Sequence, residues 1–476
     1  MKKFCFLLFF LLQFFCLAEK PNIVFIIADD LGWRDVGFNG TPFYETPNLD
    51  RICATGMKFN RAYSGGPNCL PTRACIISGM YTPRTQIWTP GGVSKGNIDF
   101  MKLKVPAKGV DNSWNTIPSR QELQSSVVSI AEVLNTAGYK TARFGKWHVG
   151  QDTQGFDISD SSGKGDDPNK KFYGNIDVHE WLADASVKFI EDNKDNPFFL
   201  YLSHWDVHTP IKARKDVVAK YDEKLKSKDW SRKWNTTYAA MVHAVDLSVK
   251  RVHAKLEELG LVENTLFIFT SDNGGHGSVT TNAPLTGGKG AFSEGGVRVP
   301  TFMSWPKTIK AGSESNTPVT SVDFMPTFAE IASATLPISQ PVDGKSILNV
   351  LKGGDLEERS IFWHYPLYLV GHQESKIVPV FGTREFYWRA VPSSMVVKGE
   401  WKLIHYFEDN AYRLFNIAED VSEREELSSQ YPEIASQLKR ELVAWQKETK
   451  ALIPTTVNDS FNPDSSKEGK GKKRKK

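Results

Sequence analysis

A chain of 476 residues, 40% hydrophobic and 12% aromatic, can bury a large core and implies one large domain, or a large domain with an appendage. Its formal charge of +4 sits at one end: residues 467–476 hold seven Lys/Arg and one Glu, a balance of +6 that leaves about −2 for the rest. No aromatic residue interleaves that basic run and no known module accompanies it, which excludes nucleic-acid binding. Residues 456–476 read as a disordered basic tail, with contact to a polyanion or cell surface as its alternative role.

Residues 1–18 have the layout of a signal peptide: Lys2 and Lys3, an apolar stretch over 4–15, then Cys16-Leu-Ala18 before a cut. A membrane anchor needs about 20 apolar residues, and Glu19 and Lys20 follow too soon. The sequence therefore predicts an exported chain, periplasmic or secreted, cleaved near Ala18. Cys5 and Cys16 leave with that segment, so Cys53, Cys69 and Cys75 remain. Cys53 and Cys75 could pair after export, but two separate buried thiols are the simpler expectation.

Residues 22–27, 197–202 and 266–269 are short apolar runs, as expected of strands covered on both faces. Residues 129–135, ended by Gly138, form a helix candidate. A longer one carries Met241, Val245, Val249, Val252, Leu256 and Leu259 at three- and four-residue steps until Gly260 stops it. Strands alternating with helices predict an α/β fold with a large, mainly parallel sheet. The polar stretches 91–118 and 157–171 read as surface loops near a cleft. Beyond residue 360 the pattern changes. Residues 394–405 and 412–416 suggest a small antiparallel sheet, and 432–447 an amphipathic helix. The predicted division is a catalytic domain over 19–359 and a C-terminal subdomain over 360–455.

Charged residues follow the apolar runs. Asp29 and Asp30 come directly after the first, His204 and His208 after the second, Asp272 and Asn273 after the third. In parallel α/β sheets, ligands bind beyond the carboxyl ends of the strands, so these groups converge on one edge. Any one of them alone would be an ordinary turn residue. Several on one edge make a site. Asp29, Asp30, Asp272 and Asn273 offer only oxygen donors, with no His/Cys set of the zinc kind. Three carboxylates suit Ca²⁺ first and Mg²⁺ second.

Six motifs in order carry a family resemblance. Residues 21–33 contain the Asp pair, and Cys69-Leu-Pro-Thr-Arg73 has the form Cys-x-Pro-x-Arg. Gly145-Lys-Trp-His148, His208-Thr-Pro210 and Ser271-Asp-Asn-Gly-Gly275 follow. Gly287-Gly-Lys-Gly290 with Glu294-Gly-Gly-Val-Arg-Val-Pro300 completes the set. Together they resemble the formylglycine-dependent sulfatases of the alkaline phosphatase superfamily, and in particular bacterial exported carbohydrate sulfatases.

That resemblance implies a maturation enzyme that oxidises Cys69 to formylglycine. One hydroxyl of the hydrated aldehyde would attack sulfur and expel the alcohol; loss of the other's proton would then release sulfate. It also implies calcium on Asp29, Asp30, residue 69, Asp272 and Asn273. Asp272 would accept the nucleophile's proton, His208 and Lys289 would assist the leaving alcohol, and His148 would take the second proton. Arg73 and Lys146 would fix the diol. His204 lies outside every motif. The run Phe362-Trp-His-Tyr-Pro-Leu-Tyr368 resembles sulfatases acting on galactose or N-acetylgalactosamine sulfates, so a sulfated carbohydrate is the expected substrate. Trp88, Trp181 and Trp388 could stack on sugars, although core burial is the simpler expectation. A phosphodiester or phosphonate hydrolase of the same superfamily and a non-catalytic glycan-binding protein are the two alternatives.

Overall fold

The apolar runs become the inner strands of one sheet. A computed structural model describes residues 20–150, 153–160, 174–230, 234–370 and 388–462. Eight strands lie in the spatial order Ile158–Ser159, Lys140–Gly145, Phe198–Ser203, Asn22–Ala28, Thr265–Ser271, Thr301–Ser304, Met57–Phe59 and Ser313–Ser315. The first five of these run parallel, and Thr301–Ser304 is antiparallel to both its neighbours. Every residue of Asn22–Ala28 is buried, as a strand with layers on both faces must be.

Alternation along that strand sorts the two cores. Ile23, Phe25 and Ile27 pack under the helices Cys69–Ser78, Ile130–Thr136 and Phe324–Ala332. Val24, Ile26 and Ala28 meet Val178–Asn193 and Thr236–Glu258 on the other face. The helix expected from Met241 onward buries Met241, Val245, Val249, Val252 and Leu256. It starts earlier, at an Asn235 cap that accepts the Tyr238 N–H, and Gly260 at φ +68° follows its end. Ser129 and Glu132 close a capping box on Ile130–Thr136.

A four-stranded antiparallel sheet stands apart, in the order Ile361–Tyr365, Ser393–Lys398, Trp401–Tyr406 and Ala411–Asn416. Helix Pro432–Glu448 covers one face through Leu438, Leu442 and Trp445, beside Cys75 and Tyr81 of the main body. Fold class and layer order are those the sequence predicts.

Two expectations need correction. The stretch 91–118 is a surface loop only in part: its segments 95–97 and 111–116 are largely exposed, while Phe100, Met101, Val105 and Ile117 fill the core on the other face of the antiparallel sheet. Its apolar residues are too few to show a period, yet enough to be worth burying. The tail does not begin at 456 either. Asn458 is buried and donates to the carbonyls of Ile98 (2.9 Å) and Met101 (2.7 Å), and the Asn462 N–H reaches the Asp99 carbonyl at 2.8 Å. Residues 1–18, most of 157–171 and the basic run 467–476 lie outside the described residues. Cys53 and Cys75 are free thiols buried in different clusters. Trp88 and Trp388 are buried in one core, and Trp181 packs edge-on against Phe144.

Candidate active site

Strand register brings the polar ends together. Ala28 pairs with Ser271, Ile27 with Ser203 and Ser203 with Gly145, so the residues that follow all emerge at one edge. Gly145, at φ +92°, makes the turn into Lys146; a Cβ there would stand 1.8 Å from the Ser203 carbonyl oxygen. Asp30 takes a left-handed φ of +64°, and its N–H donates to Asp272 Oδ1 at 3.2 Å. The loop carrying Lys289 presses on the Asp272 loop backbone to backbone. A Cβ on Gly274 would lie 1.7 Å from the Gly295 oxygen, and Lys289 N–H donates to Gly275 at 3.1 Å.

Cys69 opens the helix Cys69–Ser78, at the end where the helix dipole favours negative charge. Pro71 falls in the first turn, where a missing N–H costs nothing. Arg73 is four residues on and shares the Cys69 face. It is fully buried: Nε and Nη2 hold Asp272 Oδ2 at 3.0 and 2.7 Å, while Nη1 reaches the Lys146 carbonyl at 2.7 Å and Ser203 Oγ. Arg73 is first of all the clamp on Asp272. Ser203 is a site residue that the sequence did not reveal, because nothing distinguishes it from any serine ending a strand.

Asp29, Asp30 and Asp272 are all fully buried, and each has one cation. Lys146 Nζ bonds Asp29, Lys289 Nζ lies 2.7 Å from Asp30, and Arg73 holds Asp272. His208 Nε2 stands 3.7 Å from Asp30 Oδ2, and Asn273 Nδ2 donates to Asp30 Oδ1 at 2.8 Å. Burial alone would push the Asp30 carboxyl up, but Lys289, His208 and Lys146 outweigh it and hold the group well below the usual range. Burial, with Asp29 beside it, pushes Asp272 up to about 6. Burial and the Lys146 and Arg73 charges bring His148 down to about 3, so its imidazole is neutral at neutral pH.

The donor set fits a metal ion. Asp29 Oδ1 and Asn273 Oδ1 are buried with no hydrogen-bond partner, an arrangement that is costly unless a cation meets them. Cys69 Sγ and one oxygen each of Asp29 and Asp272 lie within 4.8 Å of one another, as do ligand atoms of Asp29, Asp30 and His208. The three carboxylates are already matched by three side-chain cations. A divalent ion would therefore leave the site positive, as an anionic substrate requires.

Residues of the C-terminal part support the Lys289 loop. Arg389 Nη1 donates to the Lys289 carbonyl at 2.9 Å, and Glu423 accepts the Glu294 N–H at 2.7 Å. Lys402, fully buried, pairs with Glu294 at 3.1 Å and Glu423 at 2.8 Å, while the Tyr63 hydroxyl donates to Glu294 at 3.0 Å. The one sequence signal was a lysine at an inward position of a strand, two before Ile404. Lys402→Met strands two carboxylates in the core, so we expect a loss of about 3–5 kcal/mol in denaturant unfolding, with weakened turnover as the Lys289 loop loosens.

His204 takes no part in this cluster. It is fully buried, neither ring nitrogen has a hydrogen-bond partner, and burial, with His179 nearby, lowers it to about 3 from the usual 6.5. The unfolded chain binds its proton between pH 6.5 and 3 and the native one does not. Stability linked to His204 is thus present above pH 6.5 and lost as pH falls, by about 1.4 kcal/mol per pH unit. His204→Leu should be more stable than wild type at pH 5, by a wider margin than at pH 8, in melts at both values.

All ten candidate residues thus meet at one edge of a mainly parallel sheet, with a cysteine at a helix start, an acidic metal-type pocket and matched cations. This is the architecture of an alkaline-phosphatase-like ester hydrolase. A Sulfatase family profile matches residues 21–334, and a profile described as N-sulphoglucosamine sulphohydrolase, C-terminal, matches 289–448. The chain is 33% identical to a sulfatase of Formosa agariphila, over 90% of this chain and 89% of that one. It is 29% identical to the N-acetylgalactosamine-6-sulfatase of Mus musculus, over 73% of this chain and 69% of the relative. The solved structure of Ps i-CgsB with k-i-k-neocarrahexaose superposes with a TM-score of 0.69 at 29% identity, covering 92% of this chain and 96% of that one. The chain belongs to the sulfatase family and is a sulfuric ester hydrolase.

Proposed function

We propose that this enzyme removes sulfate from a sulfated carbohydrate, with residue 69 matured to formylglycine and calcium as its metal. The observation that carries the reading is the meeting of Cys69 with Asp29 and Asp272 at a pocket whose carboxylates are each matched by a cation. The N-acetylgalactosamine-6-sulfatase relative and the neocarrahexaose complex support a carbohydrate, and the former supports a galacto-configured one. The division into a domain over 19–359 and a subdomain over 360–455, export after cleavage near Ala18, a maturation enzyme acting on Cys69 and a polyanion contact through the basic tail belong to the same proposal. No helix among the described residues is long and apolar enough to cross a membrane.

Asp29, Asp30, Asp272 and Asn273 would hold a hard divalent ion, which supplies Lewis-acid polarisation of sulfate oxygens. Formylglycine, once hydrated, supplies an oxygen nucleophile and turns the mixed donor set into an all-oxygen one. Asp272 would accept the nucleophile's proton, and Arg73 keeps its carboxylate aimed. His208 and Lys289, both against Asp30, face the leaving alcohol as proton donor and charge stabiliser. His148, whose motif resembles the family's Lys/His pair, would take the proton whose loss frees the product.

The test is a desulfation screen of the matured enzyme across defined sulfated mono- and oligosaccharides, beside matched phosphate esters. Sulfate release from galacto-configured sugars is expected. Turnover confined to phosphate esters would overturn the reading.

A further inference from the structure

One side chain outside every motif ties together the two loops that carry Asp272 and Lys289. Asn282 lies in the excursion between Gly275 and Gly287 and is buried. Its Oδ1 accepts the Gly275 N–H at 2.9 Å, and its Nδ2 donates to the Gly275 carbonyl at 3.0 Å. Nδ2 also donates to the Gly287 carbonyl at 3.1 Å. A side-chain amide supplies an acceptor and two N–H donors on one planar group, and all three are used here. The fit is close. A Cβ on Gly288 would stand 2.6 Å from Asn282 Nδ2, and one on Gly32 would stand 3.0 Å from its Oδ1.

This joint sets the place of Lys289. The Lys289 N–H donates to the same Gly275 carbonyl at 3.1 Å. The next N–H, of Gly290, reaches the carbonyl of Pro67, just ahead of Cys69, at 2.7 Å. Lys289 is thus hung between the approach to Cys69 and the Asp272 loop, with its Nζ 2.7 Å from Asp30. The segment carrying Asn282 is itself anchored. Thr280 Oγ1 donates to Asp35 at 3.0 Å, and Asp35 accepts the Tyr238 hydroxyl of helix Thr236–Glu258 at 2.8 Å.

We propose that Asn282 is a positioning residue for sulfate-ester cleavage: it holds the Lys289 backbone against the Asp272 loop, so that the ammonium meets the leaving alcohol. A displacement of about 1 Å there would cost on the order of a hundredfold in rate, and chiefly where the leaving group needs the charge. This rests on the role given above to Lys289 and adds the residue that sets its place.

The experiment measures kcat/KM, which covers the step that expels the alcohol, for the matured full chain and four variants. These are Asn282→Ala, Asn282→Asp, Lys289→Ala and the double variant Asn282→Ala with Lys289→Ala. Substrates are aryl sulfates of graded leaving-group pKa and a sulfated monosaccharide. Asn282→Ala should lose about a hundredfold on the sugar and less than about fivefold on a nitrophenyl sulfate, so the dependence on leaving-group pKa steepens. Asn282→Asp keeps the volume and the Gly275 N–H bond but sets an oxygen against two carbonyls. It should steepen the dependence in the same way, and it carries the test where alanine does not fold. The double variant should be no slower than Lys289→Ala, because Asn282 acts through that lysine. A merely structural role would lower the folded fraction and scale every substrate alike. That result, or losses that multiply in the double variant, overturns the proposal. A Lys289→Ala variant with the wild-type dependence would instead overturn the leaving-group role of Lys289, and the double variant would still decide whether Asn282 acts through it.

Discussion

Cys69→Ala is expected to abolish sulfate-ester turnover, by about a thousandfold or more, while leaving the fold intact. The residue is 2% exposed at the start of its helix, and alanine removes one heteroatom without disturbing the Arg73–Asp272 clamp one turn away. Cys75→Ala is the matched control. Its thiol is equally buried but packs among Tyr81, Val322 and Leu442, and burial pushes its pKa above the range of reactive thiols. That variant should lose about 1–2 kcal/mol of stability and keep its activity. Peptide mass analysis of active wild type should show residue 69 as the aldehyde. Unmodified cysteine in fully active enzyme, or equal loss from both alanine variants, would show that the nucleophile has been misplaced.

The second large effect concerns the metal. Asp30→Ala removes a carboxylate that answers Lys289, His208 and Asn273 together, so it costs a ligand and leaves a buried ammonium without its partner. Activity should fall at least about a hundredfold, and metal content by mass spectrometry should fall with it. Chelation should inactivate wild type, with calcium restoring it and restoring the Asp30→Ala variant little at ordinary concentrations. Full activity in that variant would remove Asp30 from the ligand set. Full activity of chelated wild type, with no metal detected, would remove the metal itself.

The expected acid sensitivity has a different origin from the catalytic pH dependence. His204 is shifted by burial with His179 nearby, whereas Asp272 and His148 are shifted by burial together with the charged groups around the nucleophile. A variant that changes one should leave the other in place, and melts and rates measured on His204→Leu separate them.

The linear sequence carried the strands, the helix stripes and the stops, because those depend on neighbours one to four residues apart: Val24 beside Phe25, Met241 with Val245, Ser129 with Glu132. It also carried the convergence of Asp29, His208 and Asp272, since each follows an apolar run and parallel strands leave by the same edge. The partnerships within the site were decided only by the tertiary structure. Arg73 and Asp272 lie 199 residues apart and Lys402 and Glu294 lie 108 apart, so their pairing follows from strand register and loop packing, which no local pattern expresses. The same holds for residues 91–118, whose scattered apolar side chains become core only because the C-terminal sheet supplies a wall.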